Sequence, residues 1–210
     1  MHATAIPPQP IPPPTSNPAP TPELVHQLFP FTPLANIAAN LPHVLAALAA
    51  ANLADKPMLL MALATIRAET ESFLPLTEAL SRFNTSPGGA PFDLYDNRKD
   101  LGNQGPPDGA NFRGRGFVQL TGRANYTHYA RQIGQPLVAN PSLAASPVIA
   151  AQLLARFLAD REPAIRRALA VPPPAGPDLA AARRLVNGGV NGLDRFTAAF
   201  QLGAQLLPER

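Results

Sequence analysis

Apolar positions recur at helical spacing along most of the chain. "PHVLAALAAANL" (42–53) and "PMLLMALATIRAETESF" (57–73) each open on a proline, which the first helical turn accepts, and continue in helix-forming residues. The pattern predicts a helix over each. Periodicity fails from Asn84 to Gly116, where Gly, Pro, Asn and Asp crowd the chain. That stretch reads as a long loop, and a loop of such length inside a compact domain points to function. Helical spacing returns over Arg123–Ile133. It returns again over Ser146–Arg161, with Ser146 as N-cap and Pro147 behind it. Asp178–Gly189 follows, with Asp178 as cap and Gly188 as left-handed stop, and then Leu193–Leu206. These elements predict an all-α domain with a large central loop and no internal repeat.

The beginning of the chain differs. Nine of the first 22 residues are proline. Such a stretch forms neither helix nor ladder and is expected to be extended polyproline-II or disordered. It reads as a linker or tether that docks a partner, or as a tail without a role. The folded domain is expected over 23–210.

Composition supports this division. The 210 residues suffice for one domain with a core plus a tail, and hydrophobic residues reach 46% against 15% charged. Seventeen basic and fourteen acidic residues leave a net charge of +3, with a pI near 9.8. That mild bias suits an anionic partner such as a bacterial wall. Without cysteine there is no disulfide framework and no thiolate metal site. His2, His26, His43 and His128 are scattered without metal spacing, so neither metal nor cofactor is expected. No apolar run reaches the roughly 18 residues of a spanning helix, so no membrane insertion is expected. No basic start followed by an apolar core marks a Sec-type leader.

The stretch "IRAETESFLPLTEAL" (66–80) carries three glutamates. Arg67 and Glu71 are four apart, the spacing of an exposed helical ion pair. Glu69 falls on the opposite side of the helical wheel, among Met58, Ala62, Thr65, Ile66 and Phe73. A carboxylate on that stripe must be paired or protonated. Desolvation would suit it to general-acid work, whereas a buried arginine would make it structural. On a straight helix Glu78 would lie about 13 Å further along and on another face. Pro75 disfavours helix at Leu74, so the chain is expected to turn after Phe73 and return Glu78 towards Glu69. Two carboxyls roughly 6.5–9.5 Å apart, with water between, are what an inverting glycosidase needs.

Residues 112–126 read "FRGRGFVQLTGRANY". Gly114 and Gly116 flank Arg115 and permit close approach of the backbone to a ligand. Gln119, Thr121 and Asn125 add amide and hydroxyl groups of the kind that hold neutral, hydroxyl-rich sugars. The later "LVNGGVNGLDR" adds Asn187, Asn191 and Arg195. A single "RGRG" with few lysines and no interleaved aromatics does not make a nucleic-acid site.

"AETESF", "TEAL", "FRGRGFVQLTGRANY", "NPSLAASPVIAA" and "VNGGVNGLDR" together resemble glycoside hydrolase family 19, the chitinases and related phage or bacterial endolysins. The match runs over about 56–200 in the family's order. The resemblance implies a lysozyme-like helical domain with a deep cleft, hydrolysing β-1,4 bonds of N-acetylglucosamine polymers, chitin or peptidoglycan, with inversion. It makes Glu69 the general acid, Glu78 the base, and Thr121 a holder of the attacking water. It assigns Arg115, Gln119, Asn125, Tyr126, Asn187 and Arg195 to substrate binding. It also implies a monomer acting outside the cytoplasm, by an export route the sequence does not reveal. Three positions depart from the family pattern: Ala68 replaces histidine, Glu71-Ser72 replaces Gly-Gly, and Phe112 replaces tyrosine. They leave open a relative that binds sugar without cleaving it, or a delivered wall-degrading toxin.

Overall fold

A computed structural model describes residues 19–172 and 175–209. The proline-rich stretch through residue 18 lies outside the described residues. Helix α1 (Pro22–His26) is capped by Thr21, whose hydroxyl oxygen accepts from Leu24 N at 3.3 Å.

The described residues form ten α-helices, and their extended pairing is limited to two isolated bridges, Thr77–Arg115 and Arg115–Leu120. The expected all-α class is therefore the observed one. Helix α2 (Leu34–Ala50) starts eight residues before the proline predicted to open it and continues through Pro42. Ile37, Leu41, Val44 and Leu48 repeat at helical spacing on its buried face, and that packing outweighs the lost backbone donor.

Helix α3 (Lys56–Glu69) is the centre of the domain. Asp55 caps it, accepting from Met58 N at 3.3 Å and taking Arg166 at 2.7 and 3.1 Å. Every residue from Met58 to Ala68 is buried, Arg67 included. A helix buried all round has no apolar stripe. The wheel argument that separated Glu69 from Arg67 therefore does not hold, and the Arg67–Glu71 pair is not an exposed one. α3 also stops four residues earlier than expected. Glu71 and Phe73 take left-handed φ values of 47° and 55°. Phe73 is fully buried between Phe29, at 4.9 Å, and Phe117, at 6.1 Å. The Thr32 hydroxyl donates to Glu71 O and Asn36 Nδ2 donates to Ser72 O. The turn after Glu69 is thus made by packing and capping from residues near α2, not by Pro75.

Three short helical turns interrupt the loop expected over Asn84–Gly116: α4 (Asp93–Asp96), a 3-10 turn at Lys99–Leu101, and α5 (Asp108–Asn111). Buried polar groups fasten them. Asp96 accepts from Gly109 N, Asn103 bridges Tyr95 O and Arg123 N, and Asp108 takes a two-pronged Arg123.

Four of the remaining helices follow the predicted bounds closely: α6 (Arg123–Ile133), α7 (Pro147–Ala159), α9 (Leu179–Asn187) and α10 (Leu193–Leu206); α8 (Glu162–Leu169) was not predicted. Asp178 caps α9 through Ala181 N at 2.8 Å, and Gly188 ends it at a φ of 72°. α10 packs along α3, and α7 packs along α2.

Candidate active site

Glu69 is the last residue of α3, next to the half-buried turn that follows. It lines a cleft of about 280 Å³ together with Gln119, Thr121, Asn125 and Asn187 and the apolar Leu101, Val118, Leu120, Phe157 and Val186. Arg183 of α9 rises from the core, 1% exposed, and sets Nη1 2.7 Å from Glu69 Oε1. The other two nitrogens of Arg183 donate to Asn191 O at 2.9 and 2.8 Å. Asn187 Nδ2 is a long 3.4 Å from the same Glu69 oxygen. The helix end, the arginine and the asparagine fix one carboxylate at the cleft wall.

Glu78 lies on the extended segment that pairs with the "RGRG" strip through Thr77 and Arg115. Its backbone N–H donates to Gly114 O at 2.8 Å. Three donors hold its carboxylate: Asn84 Nδ2 (3.0 Å) and Tyr95 OH (2.9 Å) on Oε1, and Gly114 N (3.0 Å) on Oε2. Burial first, then the Glu78 carboxylate it faces, pushes the Tyr95 phenol up to about 12. At neutral pH Tyr95 is therefore a donor.

Gly114 shows how the two halves meet. A Cβ there would lie 2.8 Å from Gln119 Oε1, 3.2 Å from Glu78 Oε2 and 3.3 Å from Thr121 Oγ1. The three oxygens surround one point, and only glycine leaves it open. Gln119 holds a left-handed φ of 48° and anchors its amide on Leu76 O and Gly116 O. The Thr121 hydroxyl donates to Gln119 O at 2.9 Å, which leaves its lone pairs for an incoming donor. Gly122 follows with a φ of 90°, and a Cβ there would come 2.6 Å from Leu101 O. Glu69 shares the cleft with Gln119 and Thr121, and Glu78 Oε2 lies near the same two side chains at Gly114.

Not every residue expected to touch sugar is placed to do so. Arg115 is 5% exposed, and its Nη1 donates to Asn111 O at 2.7 Å and Tyr126 OH at 2.9 Å. Tyr126 is fully buried, donates to Arg113 O and packs against Phe112 with ring centres 5.2 Å apart. Both shape the strip from within, which corrects their reading as substrate ligands. Phe112 is buried beneath the Arg123 guanidinium, so the hydroxyl missing at that position is missing from the core and not from the cleft. Asn125 lines the cleft, its Nδ2 on Thr121 O at 2.8 Å. Arg195 lies beside the turn after α3 and donates to Glu71 at 2.9 Å. Arg67 and Arg195 together hold the Glu71 carboxyl below its ordinary value.

Sequence reasoning missed Asn84, Tyr95 and Arg183. Asn84 and Tyr95 lie in a stretch without periodicity, and Arg183 reads as one charge among several on α9. Nothing local marks them. A larger hollow of about 510 Å³ among α2, α6 and α7 is lined by five alanines with His43, Gln132, Gln152 and Arg156, and no carboxylate lines it.

The mostly helical fold so described is one that solved chitinase structures share. In particular, the chain is similar to chitinase C from Streptomyces griseus, with a TM-score of 0.59 and 20% identity over 88% of this chain and 76% of that one. A variant of chitinase C aligns over the same shares with a TM-score of 0.54 and 21% identity. No protein-family model and no curated protein matches the chain. At this identity the likeness is one of fold.

Proposed function

We propose that the protein is an inverting glycoside hydrolase that cleaves β-1,4 bonds in N-acetylglucosamine polymers, chitin or peptidoglycan. The observation that carries this reading is the pair of carboxylates set around Gln119 and Thr121, one on the cleft wall and one above Gly114. Protonated Glu69 donates to the glycosidic oxygen as that bond breaks. A water between Glu78 Oε2 and the Thr121 hydroxyl attacks the anomeric carbon from the far face, and Glu78 takes its proton. Three donors hold Glu78 while Oε2 keeps a lone pair directed at the open point. Gln119, Asn125 and Asn187 supply the amides that orient the sugar. The chain's own side chains suffice for this chemistry, and the protein acts on polymer outside the cytoplasm.

A second reading has its own observation. The close Arg183–Glu69 pair is what a structural carboxylate would show, and it fits a relative that holds sugar without cleaving it. Reducing-end release from glycol chitin and from isolated peptidoglycan, measured in parallel, separates the two. Glu69→Gln is expected to lower the rate on the cleaved polymer by about a hundred-fold or more. An unchanged rate would return Glu69 to a purely structural role.

A further inference from the structure

The cleft is small for a polymer site, near the lower limit of ordinary ligand pockets. A bound chain must leave it across the surface. Among the described residues, eleven large apolar side chains are exposed. Five of them, Leu74, Leu76, Leu80, Phe83 and Leu94, fall within the 21 residues around Glu78. So dense a cluster marks an interaction surface more than chance exposure. Leu76 and Glu78 flank Thr77, the residue that pairs with Arg115, and exposed Leu80 follows two residues on. Leu76 O also receives the amide of Gln119, a cleft residue, so the segment adjoins the cleft. Phe83, 74% exposed, follows at the turn, with the Arg82 guanidinium 4.9 Å from its ring centre.

We infer that Leu76, Leu80 and Phe83 form an apolar rail along the Glu78 segment that binds the polymer outside the cleft. The rail takes the C–H faces and acetamido methyls of additional N-acetylhexosamine units. This inference rests on the hydrolase reading above. An uncharged sugar chain suits the surface better than an anionic membrane does, because Glu78 lies in its midst. It also suits the continuity of the rail with the cleft, which a protein partner would block.

The test measures binding of N-acetylglucosamine oligomers of three and six units to the full chain by calorimetry. A Glu69→Gln background keeps the sugars intact. Adding Leu80→Ser and Phe83→Ser is expected to weaken six-unit binding by about ten-fold and leave three-unit binding unchanged. Both positions are exposed, and an unchanged thermal midpoint confirms that the variant folds. Equal six-unit affinity with and without the two changes overturns the rail and leaves the hydrolase reading standing. Failure of the background protein to bind either oligomer overturns the hydrolase reading itself. Two further arms assign the surface elsewhere and would also overturn the rail. One is sedimentation with phosphatidylglycerol vesicles that the two changes abolish, and the other is a dimer by light scattering that they dissociate.

Discussion

Glu78→Gln is expected to lower kcat/KM on an N-acetylglucosamine polymer by about a hundred- to ten-thousand-fold, the range lost with a positioned general base. Glutamine has the same shape and still accepts from Asn84 and Tyr95 through its oxygen. It cannot take the water's proton. Its amide would also face the Gly114 N–H, setting donor against donor where the carboxylate accepts at 3.0 Å. KM should change little, because in the proposed mechanism Glu78 acts on the water and not on the hydroxyls of the bound sugar. A loss confined to KM would make Glu78 a binding residue and remove the base from the mechanism.

The second large effect concerns stability. Arg123→Leu is expected to cost about 3 kcal/mol, roughly 6–12 °C in Tm for a domain of this size. Arg123 contacts both Asp108 oxygens, and the Asp108 side chain is only 3% exposed. Removing the arginine strands a buried carboxylate. The hydrogen bonds from Arg123 hold the Asp108 carboxyl below its usual value. The pair therefore contributes fully above the unfolded carboxyl's value of about 4 and loses its effect as pH falls through the lower folded value. Thermal melts of wild type and variant should differ at pH 7 and converge in acid. Equal melts at pH 7 would show that the central segment does not depend on this anchor.

Much of the helical frame was legible before the structure. α6, α9 and α10 follow their caps and stops because those signals are local: Asp178, Gly188 and an apolar face repeating every three or four residues. What failed was whatever depends on distant partners. Pro75 drew attention as the stop of α3, but with Phe73 seated between Phe29 and Phe117 the helix ends at Glu69, four residues before the expected stop. No local pattern announces that packing. The central segment looked structureless because its anchors, Asp96, Asn103 and Asp108, are polar residues buried in pairs, which hydrophobic periodicity cannot register.

The site divides in the same way. Gln119, Thr121, Asn125 and Asn187 line the cleft. Arg115 and Tyr126 have equally polar tips, yet they satisfy each other inside the strip. Residue type alone does not reveal burial. The carboxylates were identified by motif, but their distinct surroundings were not. Glu69 is paired with a buried arginine, and Glu78 is held by an amide, a phenol and a backbone N–H.

The central claim is that these two carboxylates act from opposite faces of one sugar. Proton NMR of the first products released by the full chain from a six-unit N-acetylglucosamine oligomer tests it most directly. The account predicts new reducing ends that appear first as the α-anomer and then mutarotate. New ends that appear first as the β-anomer, or no new ends at all, would contradict it.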